Sequence, residues 1–416
     1  MFPAFVYQSP LLNPQCASYA SICCSVYCLL WLYDVAVTFP RALRLRRLFE
    51  QLSKTRGMHI FYSRKLVMPF NAFMFYLGSA VFCLSCLWAV FTPSRLLMLV
   101  ALASFYLHVG QIMPAFHVHN KIGLFPTTAC VFIVTLNNRA ISEQTVLCML
   151  YMVLCCAYFS SAVCKLRFGG NCFVWADGLA LAMAEQSLTY MKPWSMHIAK
   201  RRWLVRLVAA FTLFIELLAP LLTWASPFWF GLLTVALHIG IASVMKPYFL
   251  RFWINNNTLL FLPIVFSGRT RGSIVSSEGI FSNLDIACIV CSGVILLSPL
   301  VINRDFSPSL SRYPMYSSLP SKEVSALTLR IVLANGRSQQ FCPQEISWIE
   351  LVEEFAATRS CTSLSLVITQ IANSCALPLI ELQLFSTRII NLDGNLYEYE
   401  PVQIGYFRKS ADGLWE

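Results

Sequence analysis

Charge is scarce in this chain. Asp, Glu, Lys and Arg make up 12% of its 416 residues, about half the share found in soluble domains. That deficit excludes a water-soluble globule with an ordinary surface. The first fifteen residues contain no Lys or Arg. The basic n-region of a cleavable signal peptide is therefore missing, and the run 16–39 reads as a retained first helix. No internal repeat is present, and no two halves carry matching interrupted helices of the kind that build many transporters. Cys83-x-x-Cys86 and Cys288-x-x-Cys291 have metal or redox spacing. Neither has a nearby His or a βαβ setting, and thiols within apolar runs act as small hydrophobes. A Cys164–Cys172 disulfide is open but unsupported.

What is present is apolar sequence. Hydrophobic residues make up 57% of the chain, in runs near 16–39, 66–92, 95–115, 121–136, 145–164, 204–225, 227–246, 252–267 and 284–302. Many approach the roughly 20 residues that cross a bilayer. The fold class expected is an all-α polytopic membrane helix bundle of about eight or nine transmembrane helices. The segment 173–185 is apolar but too short to span, and it fits a re-entrant or interfacial helix. The bundle should occupy residues 1–302. A Pro/Ser-rich linker follows at 303–321, and 322–416 reads as a small α+β soluble domain. Its signals are a hairpin at Asn335-Gly336, helical periodicity over 344–357, and strands in SLSLVITQI, LIELQLFST and VQIGYFRKS. This tail shows no catalytic constellation.

The net charge of +11 is gathered in two clusters. Arg41, Arg44, Arg46, Arg47, Lys54, Arg56, Arg64 and Lys65 crowd one loop, and Lys192, Lys200, Arg201, Arg202 and Arg206 form the other. Both flank apolar helices, so anionic lipid is the expected partner rather than nucleic acid. By the positive-inside rule both loops and the C-terminal domain are cytoplasmic, in a multi-pass protein of the cell (inner or plasma) membrane.

Ionisable groups within apolar runs are costly and often functional. Here they are Asp34, Lys165, Glu216 and His238, with His108, His117 and His119 near helix ends. Glu216 and His238 should face the bundle interior, where a purely structural hydrogen-bonded pair is the plainer role. Lys165 has two readings. It is a helix-end lysine whose amine reaches the headgroups, or it is a buried neutral amine able to take a proton. Gly169-Gly170 permits a tight turn behind it, and Trp175 suits an interfacial anchor. His117-Val118-His119 lacks an evident third metal ligand, so no metal is expected. A stabiliser of a developing anion and a pair of polar loop residues are the readings that remain.

The stretch SSAVCKLRFGGNCFVWADGLALAM resembles the central motif of the HTTM domain, the membrane domain shared with vitamin K-dependent γ-glutamyl carboxylase. The matching positions are Ala162, Lys165, Leu166, Trp175 and Gly178, with Asp177 inside the second element. FTLFIELLAPLL is similar to the family's glutamate-bearing helix and contains Glu216. ALHIGIASVMKPYFLRFWINNNTLLFLP is similar to the two helices after it and contains His238. HIFYSRKLVMP and AFHVHNKIGLF resemble family loops, and the second contains His119. The resemblance covers about 16–267. Lipase maturation factors carry a related Ile-Glu-Leu-Leu helix and are the second resemblance.

The first resemblance implies that Lys165 is a base acting on vitamin K hydroquinone or another lipophilic quinol. It implies an electrostatic role for His119 and pocket membership for Glu216 and His238. It also implies a protein or peptide substrate. The tail here is much smaller than the carboxylase's soluble part, and the Lys165–Trp175 spacer is longer. The carboxylase site faces the lumen, which makes an inverted orientation the alternative topology. A non-enzymatic maturation or export factor, or a lipid-binding scaffold, is the alternative function.

Overall fold

The computed structural model describes residues 19–44, 59–61, 64–67, 71–116, 119–138, 140–169, 173, 178–244, 257–258, 261, 282–302, 323–341, 379–392 and 395–409. The helices are α1 (Tyr19–Arg44), α2 (Ala72–Phe91), α3 (Arg95–Phe116), α4 (His119–Thr135), α5 (Glu143–Cys164), α6 (Gly178–Thr189), α7 (Pro193–Ala199), α8 (Arg202–Leu217), α9 (Ala219–Ala225), α10 (Pro227–Val244) and α11 (Asn283–Ile302). A two-stranded ribbon, β1 (His59–Phe61) and β2 (Arg64–Val67), lies between α1 and α2. Among the described residues, five helices are long and apolar enough to cross a membrane, and a sixth if α8 and α9 count as one bent span. The apolar stretches of α3 and α4 are shorter, Arg95–His108 and Leu124–Thr135. Multi-pass insertion is compatible with these lengths.

Two helix boundaries differ from the sequence reading. The run 66–92 was expected to be one helix, yet Arg64–Val67 is a strand and α2 starts at Ala72. Pro69 disfavours helix in the residue before it. Asn71 then caps α2 by accepting the Met74 amide at 3.2 Å. The run 204–225 was also expected to be continuous, but it breaks into α8 and α9 with a 60° bend. Pro220 supplies the reason: it has no amide hydrogen, and its ring clashes with the carbonyl four residues earlier. The expected helix 252–267 lies largely outside the described residues.

An aromatic core holds α1 to α4 together. Phe105 and Phe125 stack at 4.4 Å, and Trp31 stands edge-on to Phe125 at 4.9 Å. Tyr27 and Phe82 complete the cluster. Cys24 and Cys28 turn their thiols to the Met98 sulfur at 3.4 and 3.9 Å, the packing role expected of thiols in apolar helices. Gly78 lets α2 approach α3 closely, and beside it the Ser79 hydroxyl meets His108 Nδ1 at 2.6 Å.

Polar contacts identify the two ends of the bundle. At one end the Tyr19 amide donates to Glu143 Oε1 (3.1 Å), Arg95 Nε to the Leu136 carbonyl (2.5 Å) and the Ser142 amide to Asp285 Oδ1 (3.0 Å). The opposite end holds the C-termini of α1, α3, α5 and α11, and the basic residues of α7 and α8. Asp285 ties two helix starts together, because it also accepts from the amide and hydroxyl of Ser282. Helix N-termini carry unpaired donors and a partial positive charge, which a carboxylate there satisfies. Asp285→Ala should therefore cost roughly 2–3 kcal/mol in detergent unfolding titrations. A loss below a few tenths of a kcal/mol would show that this link contributes nothing.

Past the bundle, β3 (Glu323–Leu333), β4 (Ser338–Phe341), β5 (Leu379–Leu392), β6 (Asn395–Glu398) and β7 (Val402–Arg408) form an antiparallel sheet of order β4-β3-β5-β6, with β7 also on β5. The Asn335-Gly336 turn is as expected. Gly336 sits at φ +76°, a conformation glycine adopts without steric cost, and the Asn335 side chain accepts the Arg337 amide at 3.0 Å. Two expected strands, in LIELQLFST and VQIGYFRKS, are present within β5 and as β7. The expected helix over 344–357 and the strand SLSLVITQI lie outside the described residues. The sheet packs on α6: Ala326 and Ile389 are buried in one apolar cluster with Leu179 to Ala184, and Gln340 Nε2 donates to the Leu188 carbonyl at 3.3 Å.

Candidate functional site

The site is built where α5 ends. The helix runs into a π-helical turn, Lys165–Gly169, which begins with the lysine. Wider turns of this kind recur at functional positions in helices. Lys165 does not reach for the surface. Its side chain is 2% exposed, and Glu216 on α8 is 3% exposed. The Lys165 ammonium nitrogen lies 2.5 and 2.6 Å from the two Glu216 carboxylate oxygens and donates to the Ser161 hydroxyl at 3.2 Å. Ser161 in turn donates to Glu216 at 3.5 Å. Phe173 presents its ring 5.4 Å from the amine, where the ring quadrupole favours positive charge.

This overturns the reading of Lys165 as a headgroup-seeking lysine. The buried amine is not isolated either, because a carboxylate meets it through both oxygens. The correction has a physical reason. An unpaired charge is too costly in an apolar interior, and Glu216 on α8 faces the same gap.

His238 on α10 belongs to the same wall but not to the ion pair. Its Nε2 lies 2.6 Å from the Tyr158 hydroxyl, and that hydroxyl donates to Asn257 Oδ1 at 3.2 Å. All three residues are buried. A Tyr hydroxyl has one hydrogen, so its donation to Asn257 leaves the His238 Nε2–H to donate to Tyr158. The structural pairing expected of Glu216 and His238 is therefore split. Glu216 pairs with Lys165, and His238 pairs with Tyr158.

The Lys165–Glu216 pair and His238 border one cavity of about 480 Å³, within the range of small-molecule sites. Its polar wall is Lys165, Glu216, His238 and Thr212. The rest is apolar, from Leu179 and Met183 on α6, Ile198 on α7, and faces of α8 and α10. Leu207, Val208 and Phe211 line the cavity and are also exposed. The mouth is thus lateral, on the outer side of the bundle.

The remaining expected site residues are placed less fully. Gly178 is buried at the first position of α6. His119 opens α4 at the same end of the bundle as Lys165. His117, Trp175 and Asp177 lie outside the described residues. Tyr158, Ser161, Phe173 and Asn257 belong to the site and were not anticipated. A signal for two of them existed, because residues 158, 161 and 165 share one face of a helix.

A buried ion pair on the wall of an apolar cavity can give or take a proton where water does not compete. Neither a family model, nor a curated protein, nor a solved structure matches this chain.

Proposed function

We propose that this chain is a multi-pass membrane protein of the HTTM kind, in which Lys165 and Glu216 exchange a proton with a lipophilic ligand bearing an ionisable hydroxyl. The observation that carries the reading is the buried Lys165–Glu216 pair on the wall of an otherwise apolar cavity with a lateral mouth. The number of spans proposed is eight or nine, with the basic end and the C-terminal sheet in the cytoplasm. At 1.5 Å per residue, Glu216 stands about 22 Å along α8 from Arg201. If Arg201 marks the headgroup surface, Glu216 lies near the bilayer centre, since half of a bilayer with its headgroups is about 20–22 Å.

The ligand class proposed is a quinol, following the γ-carboxylase resemblance, with a protein or peptide as the final substrate. The cavity fits such a group, because a flat apolar ring needs apolar walls and its hydroxyl needs a polar patch at one place. A bound quinol would supply reducing equivalents. The protein's own part is to move a proton within the pair and then take one from the ligand: the Lys165 ammonium passes a proton to the Glu216 carboxylate, and the freed amine accepts the hydroxyl proton at Nζ. The ammonium so regained balances the ligand oxyanion, and Glu216 keeps the proton it received. His238 lines the cavity with its Nε2–H given to Tyr158, and Tyr158 gives its hydrogen to Asn257, so the two brace the wall beside the pair.

The second reading is a membrane maturation or export factor, or a lipid-binding scaffold, in which the pair only fixes helix packing. One observation favours it: both carboxylate oxygens already engage the amine. Photolabelling separates the two. A diazirine-bearing naphthohydroquinone, added to full-length protein, should label Leu207, Phe211 and Ile241. Lys165→Arg keeps the charge and should fold, but label at least tenfold less. Labelling spread evenly over outward-facing helices, or unchanged in a folded Lys165→Arg protein, would leave only the scaffold.

A further inference from the structure

We infer that the start of α8 and the stripe below it bind an anionic glycerophospholipid, with the headgroup on Lys200 and Arg201 and one acyl chain along the cavity mouth. This inference is independent of proton transfer at Lys165. It rests first on charge. No Asp or Glu occurs from residue 186 to residue 215, while Lys192, Lys200, Arg201, Arg202 and Arg206 do. Lys192 is used within the fold, since its amine donates to the carbonyls of Ala242 and Ser243 at 2.6 and 3.1 Å and caps the end of α10. Lys200 and Arg201 are exposed.

The short helix α7 shows what surrounds them. Its inner face, Ser195, Met196 and Ala199, is buried, whereas Trp194 and His197 face outward. Trp203 follows at 66% exposure. An indole beside lysine and arginine at the end of an apolar helix is the composition of a membrane–water interface.

The second observation is alignment. Leu204, Leu207, Val208 and Phe211 recur at helical spacing and run from the basic shelf to the cavity mouth. Arg201 sits one turn before Leu204 on that stripe. Ile198 joins shelf and cavity, because it lines the cavity between His197 and Lys200. A phosphate on the shelf thus places its attached chain directly on the stripe. Phosphate chemistry is set by the two cations, and the stripe selects a lipid over a soluble phosphate.

Full-length protein in phosphatidylcholine nanodiscs provides the test. Acyl-brominated phosphatidylglycerol or phosphatidylcholine is titrated in, and the emission difference between wild type and Trp203→Phe isolates Trp203. Brominated phosphatidylglycerol should quench that emission at a severalfold lower mole fraction. The preference should shrink with added salt and vanish in Lys200→Gln/Arg201→Gln. Soluble glycerol phosphate should not displace the lipid. Equal quenching by the two lipids overturns the inference, and the wild-type comparison alone suffices for that. A preference that survives in the double variant, or full displacement by glycerol phosphate, overturns it too.

Discussion

Lys165→Met on its own is expected to cost about 3–5 kcal/mol, and Glu216→Leu on its own about the same. Each leaves one charge in an apolar interior with neither water nor a counter-ion. Lys165→Met combined with Glu216→Leu should recover most of the loss, because well-packed apolar side chains can replace a buried ion pair at little cost or even with a gain. The double-mutant cycle, measured by unfolding in detergent, should therefore show a large coupling. Coupling below about 1 kcal/mol would mean that the two residues do not form the pair seen here. The cycle also divides structure from chemistry. A double variant that is stable, yet no longer takes the naphthohydroquinone label, assigns the pair to the ligand. One that is stable and labels normally assigns it to packing.

Gly78→Val is expected to separate α2 from α3. A Cβ at residue 78 would lie 2.6 Å from Leu107 Cβ and 3.0 Å from the His108 backbone nitrogen. Those are atoms at or next to the backbone, so no side-chain rotation relieves the clash. Overpacking of this kind costs roughly 1–3 kcal/mol, and loss of the adjacent Ser79–His108 hydrogen bond adds about 1 kcal/mol more. Gly78→Ala makes the same first contact and should show a smaller loss of the same sign. Thermal unfolding of the two variants checks both points. A neutral Gly78→Val would require a wider α2–α3 spacing than the one described.

These contacts also explain how much of the molecule could be read from its sequence. Helices were legible because a chain that buries helices in lipid or in one another needs long uninterrupted apolar runs. The Asn335-Gly336 hairpin was legible because its turn depends on only two residues. Lys165, Glu216 and His238 stood out as candidates because each interrupts an apolar run, which is a local property. The α8–α9 break was written in Pro220 but hidden by the even hydrophobicity around it. The ribbon of β1 and β2 was hidden in a loop remarkable only for its charge.

Pairing was a different matter. Lys165 and Glu216 are 51 positions apart, and Tyr158 and His238 are 80 apart. Nothing local to either residue says which helix face meets which. A charge within an apolar run announces a cost, and wherever such a charge is buried it must find a partner. Burial of Lys165 and the choice of every partner came from helix packing. Helix packing sets the rotation and depth of α5, α8 and α10 together through many weak contacts along their lengths. One charge in an apolar run has an unambiguous cost, but its partner is chosen by the packing of the whole bundle.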